Sequence, residues 1–258
     1  MQDSKDKLLK NWTEGAENYS NLIQLELNGF QREAWLNIIH EYCGQQGKLK
    51  VLDVGTGPGF FSIIMAKAGH KVTAIDCTDA MVDVAKKNFE AYQVDVEVMQ
   101  GDSHCLPFPD DHFDLVISRN VAWTLLDAKQ GYKEWLRVLK PGARTLIFDA
   151  NWNRYLFDDA LNQKNSEDIE AYTELFNEKP AGYSDAMLDY RKSMPMCQKI
   201  RPQWDLDTLV TLGYSALTCL TNINEQVYDE KRKVLYRSTP MFMIAATKPQ
   251  MNIAYSAS

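Results

Sequence analysis

Apolar residues along the chain switch repeatedly between helical spacing and short continuous runs. Leu8, Leu9 and Trp12 fall at near-helical spacing, with Tyr19 following in a polar setting, so roughly the first thirty residues are predicted helical. A clearer helix is predicted from Gln31 to Cys43: Trp35, Ile38, Ile39 and Tyr42 form one stripe, and Gly44 stands where a C-terminal cap belongs. Lys48–Val54 then reads as a strand running directly into Gly55-Thr56-Gly57-Pro58-Gly59. A helix over Phe60–Ala68 closed by Gly69, a strand over His70–Asp76, and a helix capped by Asp79 with Val82, Ala85, Phe89 and Tyr92 on one face come next. Val94–Met99, Phe113–Ser118 and Arg144–Asp149 are further strand candidates. A helix from about Tyr132 to Leu139 stops at Lys140-Pro141-Gly142.

Strands alternating with helices predict an α/β fold with a doubly wound, largely parallel sheet. The alternation breaks after Asp149. Residues 151–200 hold no clear strand and carry six Lys/Arg against nine Asp/Glu, which reads as a mainly helical, acidic insertion. The pattern resumes with a helix over Asp205–Leu212, a strand over Ser215–Ile223 and a strand over Pro240–Thr247, with Asp229-Glu230-Lys231-Arg232-Lys233 as a charged hairpin tip. The expected organisation is an N-terminal helical cap (1–47), a sheet domain (48–150 and 201–250) and a helical lid (151–200).

Composition narrows the classes. The 258 residues are 45% hydrophobic and 24% charged, ordinary for a globular protein. No apolar run approaches the ~20 residues that cross a bilayer, and Met1 is followed by polar residues rather than a secretory apolar segment. Five scattered cysteines without a Cys-x-x-Cys pair fit reduced thiols, so a cytoplasmic location and no metal site are expected. A net charge of −7 disfavours a general grip on nucleic acid.

The strongest chemical signal is Asp53-Val54-Gly55-Thr56-Gly57-Pro58-Gly59 between a strand and a helix. Glycines let the backbone turn tightly and approach a ligand, and the helix behind them offers unpaired N–H groups. A dinucleotide fingerprint needs a third glycine where Phe60 stands, and a pyrophosphate has no use for Asp53 beside it. S-adenosylmethionine, with its sulfonium and ammonium, suits that carboxylate better. Asp76 closes the second strand, where a carboxylate can accept both hydroxyls of a ribose, and Asp102 follows the third strand, where it can accept from an adenine amino group.

Five stretches in order resemble the class I S-adenosylmethionine-dependent methyltransferases of the small-molecule type: residues 51–59, Ala74-Ile75-Asp76, Gly101-Asp102 with Leu106-Pro107-Phe108, Phe113-Asp114-Leu115-Val116, and Leu136-Arg137-Val138-Leu139-Lys140-Pro141-Gly142. The resemblance spans about residues 48–149 and implies a Rossmann-like seven-stranded sheet with its last strand antiparallel, and S-adenosyl-L-methionine as cofactor. It implies cofactor contacts at Asp53, Gly55, Gly57, Asp76 and Asp102. Thr56, Cys77, Met81 and Ser103 are placed with them, Asn120 near the methionine end, and Tyr19 is similar to an N-terminal tyrosine that closes over the cofactor in related enzymes. Thr56 departs from the small residue many members carry.

On the acceptor side, Trp123, Asp149, Asn151, Trp152 and Arg154 are the candidates, with lid aromatics Tyr155, Phe157, Tyr172, Phe176 and Tyr183 as a wall. His104 is a possible base by residue type alone; no catalytic residue is identified. The expected reaction is transfer of a methyl group to O, N, C or S of a small molecule by direct displacement. A non-catalytic cofactor-binding protein and a metalloid or thiol methyltransferase are the alternatives, and a dinucleotide oxidoreductase is a distant third. A small molecule is the expected partner rather than nucleic acid or a membrane, with a homodimer left open.

Overall fold

The computed structural model describes residues 2–250. Two helices, α1 (Gln2–Asn28) and α2 (Gln31–Tyr42), precede β1 (Lys50–Val54), α3 (Phe60–Lys67), β2 (Lys71–Asp76), α4 (Asp79–Ala91), β3 (Val96–Gln100) and β4 (Phe113–Arg119). Then follow α5 (Ala128–Val138), β5 (Leu139–Asp149), α6 (Asp159–Phe176), α7 (Asp185–Ser193), α8 (Gln203–Thr211), β6 (Ser215–Leu220), α9 (Asn224–Val227), α10 (Glu230–Leu235) and β7 (Phe242–Thr247). The seven strands lie in the order β3-β2-β1-β4-β5-β7-β6. The first five pair parallel, and β7 runs antiparallel to both β5 and β6. The chain winds outward from β1 on one side and from β4 on the other, so the order reverses between them and leaves a crevice at their carboxyl ends.

The two faces of the sheet read directly off strand alternation. Val51, Leu115, Ile117 and Leu146 point to the layer holding α2 and α3, packing on Trp35, Ile39, Phe61 and Ile63. Leu52, Val54, Val116 and Ile147 point the other way, onto Tyr132, Trp135 and Val138 of α5 and Leu209 of α8. Each fully buried Leu, Ile, Val or Phe contributes about 1.5–3 kcal/mol, so these paired layers dominate stability. Helix α1 adds Ile23 and Leu27 to the first layer. It is fastened at Asn88 on α4, whose Nδ2 donates to Ser20 Oγ at 3.1 Å and to Pro58 O at 2.9 Å. One side chain therefore ties α1 to the glycine turn.

Three local readings are corrected. Thr78, not Asp79, caps α4: it holds extended backbone angles and its hydroxyl accepts from Met81 N–H, which leaves Asp79 in the first turn, where its charge suits the helix dipole. Helix α5 ends at Val138, and Lys140-Pro141-Gly142 already lies within β5, with the Gly142 N–H donating to Lys248 O at 2.9 Å. Asp229–Lys233 is not a hairpin tip. Asp229 accepts from Arg232 N–H and starts α10, because a good cap is followed by good helix formers.

Residues 151–200 are helical, as expected, and they are closed at their base by a buried ionic cluster. Arg201 Nη1 donates to Asp149 Oδ2 at 2.9 Å, while its Nε and Nη2 grip Asp205 at 2.9 Å. Tyr132 Oη donates to the same Asp205 carboxylate. Arg201 and both carboxylates are at most 1% exposed by side chain. Removing one partner of such a cluster strands the others without water. Arg201→Ala is expected to lower unfolding free energy by about 3–5 kcal/mol in urea titrations, whereas a loss below about 1 kcal/mol would show that the cluster does not hold the fold.

Candidate functional site

The site is assembled where β1 and β4 end. Gly55 has φ +65°, and a Cβ there would stand 2.5 Å from Val121 Cγ2. Only glycine lets the turn pass Val121 this closely. Gly57, also at positive φ (+52°), lies against the ring of Tyr19, and its N–H donates to Asp76 Oδ2 at 3.0 Å. The turn is thus held open between α1 above and β2 beside it.

The three acids at the strand ends differ in their partners. Asp53 is 2% exposed, and its Oδ2 accepts from Thr56 Oγ1 at 2.8 Å and Ser62 Oγ at 2.7 Å. Burial pushes its carboxyl up to about 6 against those two hydrogen bonds. Asp76 is 8% exposed; its other oxygen accepts from Thr78 N–H and Thr78 Oγ1, both at 3.1 Å. Burial raises its carboxyl too, against hydrogen bonds from Thr78, Gly57 and Cys77. Asp102 Oδ1 accepts from His104 N–H at 2.9 Å and pairs with the ring Nδ1 at 2.6 Å. Burial works against its charge, but the hydrogen bonds from His104 outweigh it and hold Asp102 below the usual carboxylate range.

Those contacts also define His104. Its Nε2 accepts from Asp127 N–H at 3.2 Å, so Nδ1 carries the proton toward Asp102. The imidazole braces the loop after β3 against the start of α5. With both nitrogens engaged, it is not placed as a base.

A narrow cavity of about 70 Å³ runs past Tyr19, Asp53, Gly55, Thr56, Gly57, Asp76, Cys77, Met81 and Asn120. A wider one of about 450 Å³ continues from Gly55, Asp76 and Cys77 to Asp102 and Ser103. All eleven residues expected around the cofactor line one or both. The residues suit a cationic adenosine derivative. Three carboxylates stand along the walls, and Asn120 Oδ1 is buried with no partner among the described residues, so it asks for a donor such as an ammonium. Asn120 has φ +60°, a conformation asparagine tolerates. Among the described residues no cluster of three or more His, Cys, Asp or Glu could hold a metal.

A third cavity, about 360 Å³, shares Tyr19, Ile23, Arg119 and Asn120 with the narrow one. Its wall is aromatic: Tyr19, Trp35, Trp152, Tyr172, Tyr228 and Tyr236. Of the residues expected on the acceptor side, only Trp152 lines any of these three cavities. Asp149 is enclosed, accepting from Trp123 N–H, Ala150 N–H, Trp152 Nε1 and Arg201 Nη1, all at 2.9 Å. Asn151 is spent on the backbone of Arg201, and Arg154 bonds Gln198 O and faces Asp158. Trp123 packs edge-on against Trp12 and Tyr190. Of the lid aromatics only Tyr172 reaches this cavity; Tyr183 covers the Arg191 guanidinium at 3.6 Å instead.

Arg119, Glu26 and Arg232, also in this wall, were not singled out from the sequence. Arg119 was legible, since it ends β4 one residue before Asn120 at the ligand-binding edge. Arg232 lies in the charged run read as a hairpin tip, and its pairing with Glu26, 206 residues away, has no local signal.

The raised carboxyl of Asp53 fixes a sign. A folded-state value above the ordinary 3.8 stabilises the protein at low pH, and that contribution is lost as pH rises through about 6. Asp53→Asn keeps an acceptor for the two hydroxyls but removes this titration. Relative to wild type, the ligand-free variant should gain up to about 3 kcal/mol between pH 4 and 6 and stay level above that. Urea midpoints across that range check it, and parallel profiles would refute the assignment.

Comparison with known proteins agrees with this geometry. Residues 52–147 match the family described as "Methyltransferase domain". A ubiquinone/menaquinone biosynthesis C-methyltransferase from Pseudomonas putida is 29% identical over 208 residues, covering 77% of each chain. Among solved structures, a SAM-dependent methyltransferase from Aquifex aeolicus superposes with a TM-score of 0.55 at 20% identity, covering 88% of this chain and 97% of that one. A Haemonchus contortus phosphoethanolamine N-methyltransferase in complex with S-adenosyl-L-methionine superposes with a TM-score of 0.58 at 18% identity, covering 83% and 52%. With the sheet order and the acid-lined groove, residues 52–147 form a methyltransferase domain, and the comparisons support a class I S-adenosylmethionine-dependent methyltransferase with S-adenosyl-L-methionine as cofactor.

Proposed function

We propose that this methyltransferase acts on a small molecule held in the aromatic cavity between α1, the segment around Trp152 and α10. The observation that carries the reading is the shared wall: Tyr19, Ile23, Arg119 and Asn120 border both that cavity and the narrow cofactor groove. A cavity of about 360 Å³ falls within the ordinary range for small ligands, ~300–1,000 Å³, and is far too small for a folded macromolecule. The name of the Pseudomonas relative favours carbon as the accepting atom.

Asp76 is assigned the ribose hydroxyls, the Gly55–Gly57 turn the close approach of backbone to ligand, and Asn120 Oδ1 the ammonium of the methionine end. Asp53, buried beneath the turn, supplies negative charge. Bound there, S-adenosylmethionine supplies a methyl group activated by a sulfonium. The chain's part is then to align the acceptor and exclude water, and such positioning is worth ~7–11 kcal/mol. Tyr19 borders both cavities, and Trp12, whose ring centroid lies 5.9 Å from that of Tyr19, lines the narrow one beside it. Trp152 is fixed by its bond to Asp149 and stands edge-on to Tyr236 at 5.2 Å, a rigid wall for a flat acceptor.

Incubation with labelled S-adenosylmethionine and a panel of small aromatic acceptors is expected to release S-adenosylhomocysteine. Cofactor binding without release across the panel would favour the non-catalytic alternative. Asp76→Ala is expected to weaken S-adenosylhomocysteine at least about tenfold by calorimetry, because a buried ribose hydroxyl pair loses its acceptor; unchanged affinity would remove Asp76 from the site. Trp152→Ala is expected to raise KM for the acceptor several-fold with cofactor affinity unchanged, and an equal loss of both would place Trp152 elsewhere.

A further inference from the structure

The wall of the acceptor cavity contains a buried charge cluster that the transfer reaction itself does not require. Glu26 on α1 lies between Arg119 at the end of β4 and Arg232 on α10. Arg119 Nη1 donates to Glu26 Oε2 at 2.7 Å, and Arg232 Nη1 donates to Oε1. The side chains are 9% exposed for Glu26, 10% for Arg119 and 24% for Arg232. Burial opposes the Glu26 charge, but the two guanidinium groups outweigh it and hold the carboxyl below its usual range. Two cations therefore face one anion, and the cluster keeps a net charge of +1 away from most solvent.

Asp53 acts on Arg119 from the cofactor side of the shared wall, but among the described residues no carboxylate other than Glu26 bonds to Arg119, and the charged groups on the acceptor side offset the excess poorly. Lys231 and Glu178 pair with each other and are about half exposed. Asp229 stays 3.9 Å from Arg232 Nε and is 43% exposed. Surface charges of this kind are screened by water, whereas the triad is not. Among the described residues the Arg119 side chain has no hydrogen-bond partner but Glu26, and its guanidinium carbon lies over the Phe60 ring, 4.4 Å from the centroid. Its remaining donors are free to take a ligand oxygen, in the planar fork that suits oxyanions.

Resting on the reading that the acceptor occupies this cavity, we infer that the acceptor is a planar ring bearing an anionic oxygen group. Arg119 and Arg232 receive the anion while the ring packs among Tyr19, Trp152, Tyr228 and Tyr236. Aromatic walls alone would equally suit an ammonium. The excess guanidinium charge decides against one, because a second cation in a poorly hydrated cavity is repelled and an anion completes the triad.

Three probes of one shape test this by calorimetry on the full chain saturated with S-adenosylhomocysteine: 2-naphthoate, 2-naphthamide and 2-naphthylmethylammonium. The naphthoate is expected to bind at least about tenfold more tightly than the amide, and the ammonium more weakly than either. Arg232→Gln should cost the naphthoate about tenfold and leave the amide unchanged. Glu26→Gln should tighten the naphthoate several-fold. If that variant is less stable, added naphthoate should raise its Tm more than it raises that of the wild type, a result that a merely structural triad would not give. Binding of 2,4-dinitrophenolate beside naphthoate assigns either oxyanion, and naphthoate alone assigns a carboxylate. Equal binding of the three naphthalenes, preference for the ammonium, or no binding of any overturns the inference. Failure of S-adenosylhomocysteine to bind in the same samples overturns instead the cofactor reading beneath it.

Discussion

Asp149 accepts four hydrogen bonds in a space closed to water, and the Trp152 wall of the aromatic cavity hangs from it. Its donors come from the turn after β4, from its own β5 end, from Trp152 and from Arg201 at the far end of the insertion. A buried carboxylate is tolerable only when its lone pairs are filled, so the four donors are held in place by the cost of leaving it bare. The insertion is thereby pinned at both ends, and the direction in which Trp152 projects follows. What looks on paper like a reactive acid at a catalytic edge is a structural clamp.

The groove beside it works by the opposite arrangement. Asp53 and Asp76 are also buried, yet their donors are neutral hydroxyls and backbone N–H groups, and burial raises both carboxyls. Among the described residues neither carboxylate is ion-paired within hydrogen-bond reach, so each offers negative charge to a cationic ligand. Across Asn120 the sign reverses at Arg119. The two cavities that share this wall are thus lined by opposite charges, the arrangement on which the proposed separation of a cationic methyl donor from its acceptor rests.

Helix α1 decides whether those cavities are closed spaces. Ile23 and Leu27 seat it in the core, Ser20 fastens it to Asn88, and Tyr19 stands over Gly57. Its Glu26 then holds Arg119 and Arg232 by bonds to both carboxylate oxygens. One helix thus contributes an aromatic wall to the narrow groove and a counter-ion to the aromatic cavity.

The amino-acid sequence by itself determined the sheet and brought the proposed cofactor residues to one groove. Strand alternation, the glycine turn and acids at successive strand ends are local patterns, and a parallel sheet has few ways to arrange them, so Asp53, Gly55, Gly57 and Asp76 could be placed by counting residues. The acceptor half could not. Asp149, Asn151 and Arg154 sit at the expected edge, but whether such groups face a cavity or one another depends on Arg201, some fifty residues away, and on how the insertion folds back. The Glu26–Arg119–Arg232 triad joins three elements from opposite ends of the chain. Burial and pairing of charges depend on what surrounds a side chain in space, and only tertiary packing brings those surroundings together.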